Sequence, residues 1–403
     1  MFSSPELISP AGSWASLQSA IKAGADAVYF GIKELNMRDS ADNFDVLEIK
    51  KIMQLLHSNQ KKGYLTLNCL IYNNEIEKLE KILAHAKAAK VDAIIAWDMA
   101  VIELAKKFNI PIHLSTQASV SNFLSLKFFV NLGIKRIVLA RECSLADIKN
   151  MVAKIKAFKL DCQIETFIHG AMCVSISGRC LLSEHAFDKS ANRGECLQPC
   201  RREYLIKDSE LGDEYNLGKN YILSTKDLCT INFIDKLIKA GVSAFKIEGR
   251  MRSPEYVSTV TFTYRQAIDA FFKGKLNAAL KKSLRNKLKT VFNRDFDEGF
   301  YLSPPKETGI PNGTSDYEKI FIGEVKNFYK RINVAEVLLY SGKISLGDKI
   351  LIFGKKTPAL FIKISELQIE HKNVENAQKG DLVGIKVKSP LKPKDKVFLW
   401  RKK

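Results

Sequence analysis

Eight times between residue 5 and about residue 250, a short run of β-branched and apolar residues gives way to an amphipathic helical segment. That rhythm constrains the fold more than any other feature. The runs are Glu6–Ser9, Ala27–Gly31, Tyr64–Ile71, Ala93–Trp97, Ile112–Ser115, Arg136–Ala140, Cys162–His169 and Ala244–Glu248. Helical periodicity fills most of the gaps, over Ser13–Ala23, Asp45–Ser58, Glu75–Lys90, Met99–Phe108, Asn122–Asn131, Leu145–Ala157 and Ile231–Ala240. Strands and helices alternating in this way build a parallel sheet. Eight units over about 250 residues match an α/β fold of the (β/α)8, TIM-like barrel type. A doubly wound open sheet is the competing arrangement, but no Gly-rich dinucleotide fingerprint follows the first strand.

A barrel of this kind places its chemistry where strands end and βα-loops begin. The polar residues at those ends are Arg38, Asn68, Asp98, Gln117, Arg141, Glu142, His169, Glu248 and Arg250. Gln117, Arg141, His169, Glu248 and Arg250 are candidate catalytic residues, with Glu165 placed by simple alternation on the same strand face as His169. His169 has two readings, a proton donor or outer-shell partner of a metal group, or a barrel-lining histidine satisfied by hydrogen bonds. Glu248 and Arg250 likewise fit either an anchor for a carboxylated or phosphorylated molecule, or an ion-pair ladder with Lys246.

The loop after the seventh strand, residues 170–201, holds four of the eight cysteines: Cys173, Cys180, Cys196 and Cys200. Their spacing is C-x6-C, fifteen residues, then C-x3-C. Gly178, Gly194 and Pro199 shape a loop able to wrap a bound object. Cys69, Cys143, Cys162 and Cys229 sit in apolar periodic segments and read as core residues. Disulfides are disfavoured because nothing marks the chain as secreted. A four-thiolate metal site remains, zinc or an iron–sulfur cluster. The loose, uneven spacing favours the cluster over paired zinc knuckles.

Residues 203–227 form an insertion, with EYLIKD and NYILST flanking a polar turn as a β-hairpin. Pro254–Phe272 reads as a long helix closing the 1–272 domain. Residues 273–318 hold a basic helix (Leu276–Val291) and a linker containing Pro304, Pro305 and Gly309. From 319 to 403 the pattern becomes short alternating strands, a small all-β barrel: Phe321–Val325, Val334–Leu339, Lys349–Phe353, Ala359–Ile364, Asp381–Val387 and Lys396–Trp400.

Charge bears on partners. Lys and Arg number 63 against 44 Asp and Glu, a net charge of +19. A polyanion suits that excess, and nucleic acid is the commonest. Lys281, Lys282, Arg285, Lys287 and Lys289 are the candidate RNA-binding cluster, with a solvated basic helix face as the bland alternative. The N-terminus has neither a basic n-region nor an apolar h-region, and no apolar run approaches the ~20 residues of a membrane span. A cytoplasmic protein with no membrane role is expected.

The run Glu165-x-Phe167-x2-Gly170-Ala171-Met172-Cys173-x4-Gly178-x-Cys180-x-Leu182-Ser183 resembles the signature of peptidase family U32, the collagenase-like proteases. PELISPAGS, DAVYFG, LARECSL, ANRGECLQPCR and FKIEGRMRSPEYV extend the resemblance over nearly the whole chain. It implies a 4Fe–4S cluster on Cys173, Cys180, Cys196 and Cys200, as in the family's RNA-hydroxylating members. It further implies the tRNA branch, which forms 5-hydroxyuridine at the wobble position of the anticodon loop and depends on prephenate. Arg141 or Arg250 could hold that dicarboxylate, the small carboxylated metabolite expected as co-substrate. SLGDKILIFG and AQKGDLVGIKV resemble the second domain of translation elongation factor Tu, which also points to tRNA. Two other functions stay open: a peptidase acting on polypeptide such as collagen, and a non-catalytic cluster-bearing partner in a hydroxylase hetero- or homo-oligomer. No HExxH, G-x-S-x-G or recognisable Cys–His pair supports the peptidase.

Overall fold

The computed structural model describes residues 3–403 apart from 39–40, 177–178, 203, 217–223 and 305–312. Seven strands pair in parallel in chain order: β1 (Glu6–Ala11), β2 (Ala27–Gly31), β3 (Lys62–Thr66), β4 (Ala93–Ala96), β5 (Ile112–Leu114), β6 (Arg136–Val138) and β7 (Gln163–Ala171). After β8 (Leu205–Lys207), β9 (Glu214–Asn216) and β10 (Asp227–Cys229), strand β11 (Ala244–Ile247) pairs with both β1 and β7. That double pairing closes the eight-stranded barrel. Open-sheet edges are thereby removed, and the doubly wound alternative with them.

Helices α1 (Trp14–Lys22), α2 (Ile49–Ser58), α3 (Ile76–Ala88), α4 (Met99–Lys107), α5 (Phe123–Asn131) and α6 (Leu145–Ala157) join the first seven strands. Their starts are written locally. Ser13, Asn122 and Ser144 each accept the backbone N–H of the third residue on, while Asp98 accepts that of Ala100. In α2, Ile49, Ile52, Met53 and Leu56 recur at helical spacing and are buried on one face.

Inside the barrel, Ile8, Ala27, Tyr29, Tyr64, Ala93, Ile95 and Ala244 pack as a small cluster of their own. Toward the N-terminal ends of the strands the filling turns ionic. Arg136 Nη1 lies 2.6 Å from Glu6, whose carboxylate also accepts from Tyr64, and Lys246 lies 2.8 Å from Glu165.

Strand β7 is longer than its neighbours and runs past the barrel rim. There β10 pairs with it antiparallel, and β12 (Phe296–Asp297) pairs with β10. Helix α7 (Leu182–Phe187) lies in the cysteine loop, and α8 (Ile234–Lys239), α9 (Pro254–Phe272) and α10 (Ala278–Lys289) follow. The insertion holds a hairpin in which, among the described residues, β8 pairs with Glu214–Asn216. The turn closes early because the Asp208 side chain accepts the N–H groups of Glu210 and Leu211. Residues 220–223 of the expected arm lie outside the described residues, as do Gly178, Glu203, Pro305 and Gly309.

The C-terminal unit is all-β: an eight-stranded antiparallel sheet and a two-stranded one, around its own core of Ile322, Val337, Ile350, Ile385 and neighbours. Leu351, Ala359 and Trp400 instead join the barrel's core. Ala359 N–H donates to Ser19 in α1, and Lys319 pairs with Glu255 in α9 at 2.7 Å. The two domains are packed together. Among the described residues no helix is long and apolar enough to cross a membrane.

Candidate functional site

A cavity of about 320 Å³ opens at the C-terminal ends of the barrel strands. Among the described residues, seven of the charged side chains facing it are basic and only Glu142 and Glu248 are acidic. The mouth is therefore strongly cationic. Glu248 sits at its centre, 3.5 Å from Arg38 and 3.4 Å from Arg141. Burial alone would raise its pKa, but Arg38, Arg141, Arg250 and Lys246 outweigh burial and hold the carboxyl below its usual range.

Each arginine around it is fixed by more than Glu248. Arg141 donates to the Ala171 carbonyl at 2.6 Å and stacks over Phe167. Arg250 is buried and donates to Asn36 at 3.0 Å and Thr66 at 2.8 Å. Gly31 makes room for it: a Cβ at position 31 would collide with the guanidinium. Gln117 Oε1 accepts from Asn68 at 2.8 Å and from Ser115 at 3.0 Å, and both amides line the cavity. Glu142 faces it with a buried Oε2 that has no hydrogen-bond partner.

The thiols of Cys173, Cys180, Cys196 and Cys200 line the same cavity. Three of them share a local geometry. The backbone N–H two residues on donates to sulfur at 3.4 Å, from Ser175 to Cys173, Leu182 to Cys180 and Gln198 to Cys196. Such donors stabilise thiolate character, which metal ligation needs. Burial pushes the Cys196 and Cys200 thiols up, opposed by the Gln198 N–H and then Arg38 for the first and by Arg201 for the second. Among the described residues, no three His, Cys, Asp or Glu side chains are drawn together tightly enough to grip a single ion. The loop is held by arginines: Arg193 bonds Glu75 and the Leu70 carbonyl, Arg179 donates to the Gln117 carbonyl, and Arg201 to Met172 and Thr225. The remaining cysteines are different. Cys69, Cys143 and Cys229 are buried in the core, the first two with thiols pushed up to about 12 by burial, whereas Cys162, also expected there, is only half-buried against it.

Several expected residues are not brought to the cavity. A β-bulge is responsible for the first. Lys246 faces Phe167, but the next residue, Ile247, faces His169, so Ile168 is extra. Alternation breaks there, and His169 turns away from the mouth to pack against Tyr256, Tyr264 and Phe296. Gly170, at φ +107°, completes the turn where a Cβ would meet the Glu248 carbonyl. Burial lowers the His169 pKa to about 3, so the ring is neutral. Glu165 is fully buried inside the barrel, held by Lys246. Asp98 is spent capping α4 and accepting the Ile71 N–H.

The basic cluster of α10 is also partly internal. Lys281 pairs with Asp235 at 2.6 Å, Lys287 lies over Phe262, and Arg285 lies over Phe296. Lys282 is exposed and Lys289 half-buried. Two charged cavity residues escaped sequence reasoning, Arg252 and Arg294. Arg252 follows Arg250 by two positions, and Arg294 lies in a stretch that reads as linker. Only the density of arginine in GRMR was a signal.

A family model described as peptidase family U32 matches residues 12–311. The chain is 41% identical to an uncharacterized protease of Methanocaldococcus jannaschii, over 98% of each chain. It is 40% identical to a collagenase of Porphyromonas gingivalis, over 99% of this chain and 98% of that one. It is also 34% identical to tRNA hydroxylation protein P1 of Bacillus subtilis, over 95% of this chain and 92% of that one.

Proposed function

The chain belongs to peptidase family U32, and from that membership we propose that it is an RNA-modifying enzyme, an iron–sulfur-dependent tRNA hydroxylase. The product is 5-hydroxyuridine at the wobble position, with prephenate as co-substrate. One observation carries this reading over a peptidase: four cysteines face the cationic mouth, while among the described residues no histidine does. A peptidase needs an activated nucleophile with its base, or a metal-activated water. A hydroxylase on RNA needs a redox group and a cationic entrance.

Cys173, Cys180, Cys196 and Cys200 would hold a 4Fe–4S cluster. The donor set fits, because four cysteines line one cavity and three of their sulfurs already receive backbone N–H donors. A cluster held there would supply electron-transfer chemistry at the cavity mouth. The chain's own residues bind and orient. Arg38 and Arg141, tied to Glu248, present cationic edges to the carboxylates of the co-substrate. Arg250 is buried whereas Arg141 is half-buried, which makes Arg141 the more accessible of the two arginines expected to hold that group. The Gln117 amide, its Oε1 already engaged, keeps a donor for a base carbonyl, and Asn68 fixes its orientation. An anticodon loop offers unpaired bases at little unstacking cost.

The test is mass spectrometry of tRNA nucleosides from a strain lacking the gene, complemented with wild type and with Cys196→Ser. Loss of 5-hydroxyuridine derivatives restored only by wild type supports the reading. Unchanged levels in a strain without a paralogue would sink it. Cleavage of a collagen peptide undiminished by Cys196→Ser would favour the peptidase.

A further inference from the structure

Arg201, Arg252 and Arg294 come from three separate segments: the end of the cysteine loop, the loop after β11, and the turn before β12. All three line the cavity. Arg294 is 6% exposed, yet its Nε and Nη1 have no hydrogen-bond partner. Its nearest carboxylate oxygen is Asp227 Oδ1 at 3.5 Å, a contact too long to count as a formed hydrogen bond, and that Oδ1 is itself without a partner. Gln198 accepts from Nη2 at 3.4 Å. Arg252 is half-buried over the Phe292 ring, 3.9 Å from its centre; among the described residues it makes no salt bridge, and Asp227 is the carboxylate that feels its charge most. Arg201 donates to neutral oxygens of Ser224, Thr225 and Met172.

Three guanidiniums thus share one carboxylate in a partly desolvated wall. Like charges gathered in this way repel, and a buried donor left unpaired is destabilising. Proteins keep such arrangements where an anion completes them. The position agrees, because (β/α)8 barrels often seat a phosphate in the loops after their seventh and eighth strands. Here those strands are β7 and β11.

We propose that Arg252 and Arg294, backed by Arg201, form an oxyanion seat for a phosphate or carboxylate group entering the cavity. Asp227 is its internal competitor, holding Arg294 in place when no anion is bound. The seat is separate from the Arg38–Glu248–Arg141 group, and it stands without the hydroxylation reading because binding is read directly.

The experiment titrates the purified full-length protein in chloride buffer with inorganic phosphate and with malonate, by calorimetry. It uses wild type, Arg252→Gln, Arg294→Gln and Asp227→Asn. Saturable binding of at least one anion is expected, weakened about tenfold or more in Arg252→Gln. Tighter phosphate points to a nucleotide phosphate as the natural occupant, tighter malonate to a small dicarboxylate. Asp227→Asn should bind more tightly than wild type, a direction that a merely structural role would not produce. Arg294→Gln is the more exposed to misfolding, and the half-buried Arg252→Gln decides if it fails. Equal affinity in wild type and Arg252→Gln, or no saturable binding of either anion, overturns the proposal.

Discussion

Lys246 Nζ lies 2.8 Å from Glu165 Oε1 inside the barrel, with both side chains almost completely removed from solvent. Arg136 stands 3.8 Å from the other carboxylate oxygen. The pair is structural, a buried charge matched by a buried charge. Removing one partner of such a pair leaves the other uncompensated, at about 3–5 kcal/mol. Glu165→Gln should lose that much in urea unfolding, whereas Glu165→Gln with Lys246→Met should recover a large part. If Glu165→Gln unfolds like wild type while hydroxylation falls, Glu165 belongs to the chemistry after all.

His169 supplies a pH signature. Its folded pKa of about 3 lies below the ordinary value of 6.5, so the unfolded chain takes up the proton first. Its stabilising contribution is complete above pH 6.5 and is lost as pH falls from there toward 3. Each pH unit in that window is about 1.4 kcal/mol. Between pH 7 and pH 5, His169→Phe should therefore lose about 2 kcal/mol less stability than wild type. Chemical denaturation at the two pH values measures this, and equal losses in both proteins would show that His169 is not held neutral.

The barrel was legible because its signal is repetitive. Val28, Phe30, Leu65 and Ile94 mark strands that each follow a helix, and closure needs only that the eighth strand find the first. The cysteine loop was legible because thiols are few and their spacing is open. Long-range geometry was not. Nothing in ETFIHGA announces the extra residue at Ile168, so alternation placed His169 on the wrong face. Asp98 looks the same in sequence whether it lines a cavity or caps a helix. Arg294 enters the mouth only because β12 pairs with β10, a contact between segments about seventy residues apart.

The cysteines separate into two groups by experiment. Anaerobically purified wild type should be brown and carry about four irons. Cys196→Ser should lose the iron while keeping its fold, because its sulfur faces the cavity and accepts the Gln198 N–H rather than packing in the core. Cys143→Ser, altering a thiol buried in the core, should keep the iron and lose stability instead. Stoichiometric zinc without visible absorption in wild type would refute the cluster.

The basic helix α10 gives the sharpest test of RNA contact, because its cations do unlike work. Lys281 is committed to Asp235 and the Asn232 carbonyl, and Lys287 covers Phe262. Neutralising either disturbs packing as well as charge. Lys282 and Lys289 carry less of that burden: the first is exposed, and the second ends the helix next to the segment that leads to Arg294. Each phosphate contact on a single strand adds about 0.7 to the slope of log affinity against log salt. Replacing Lys282 and Lys289 by Gln should therefore weaken tRNA binding and flatten that slope by about 1.4, with melting temperature and iron content unchanged. Lys281→Ala should lower the melting temperature, since it strands Asp235 in a half-buried site. If the double variant binds tRNA like wild type at every salt concentration, this helix is a solvated face. The phosphate contacts must then lie at the barrel mouth or on the C-terminal sheet, where Lys and Arg remain to be neutralised in the same way.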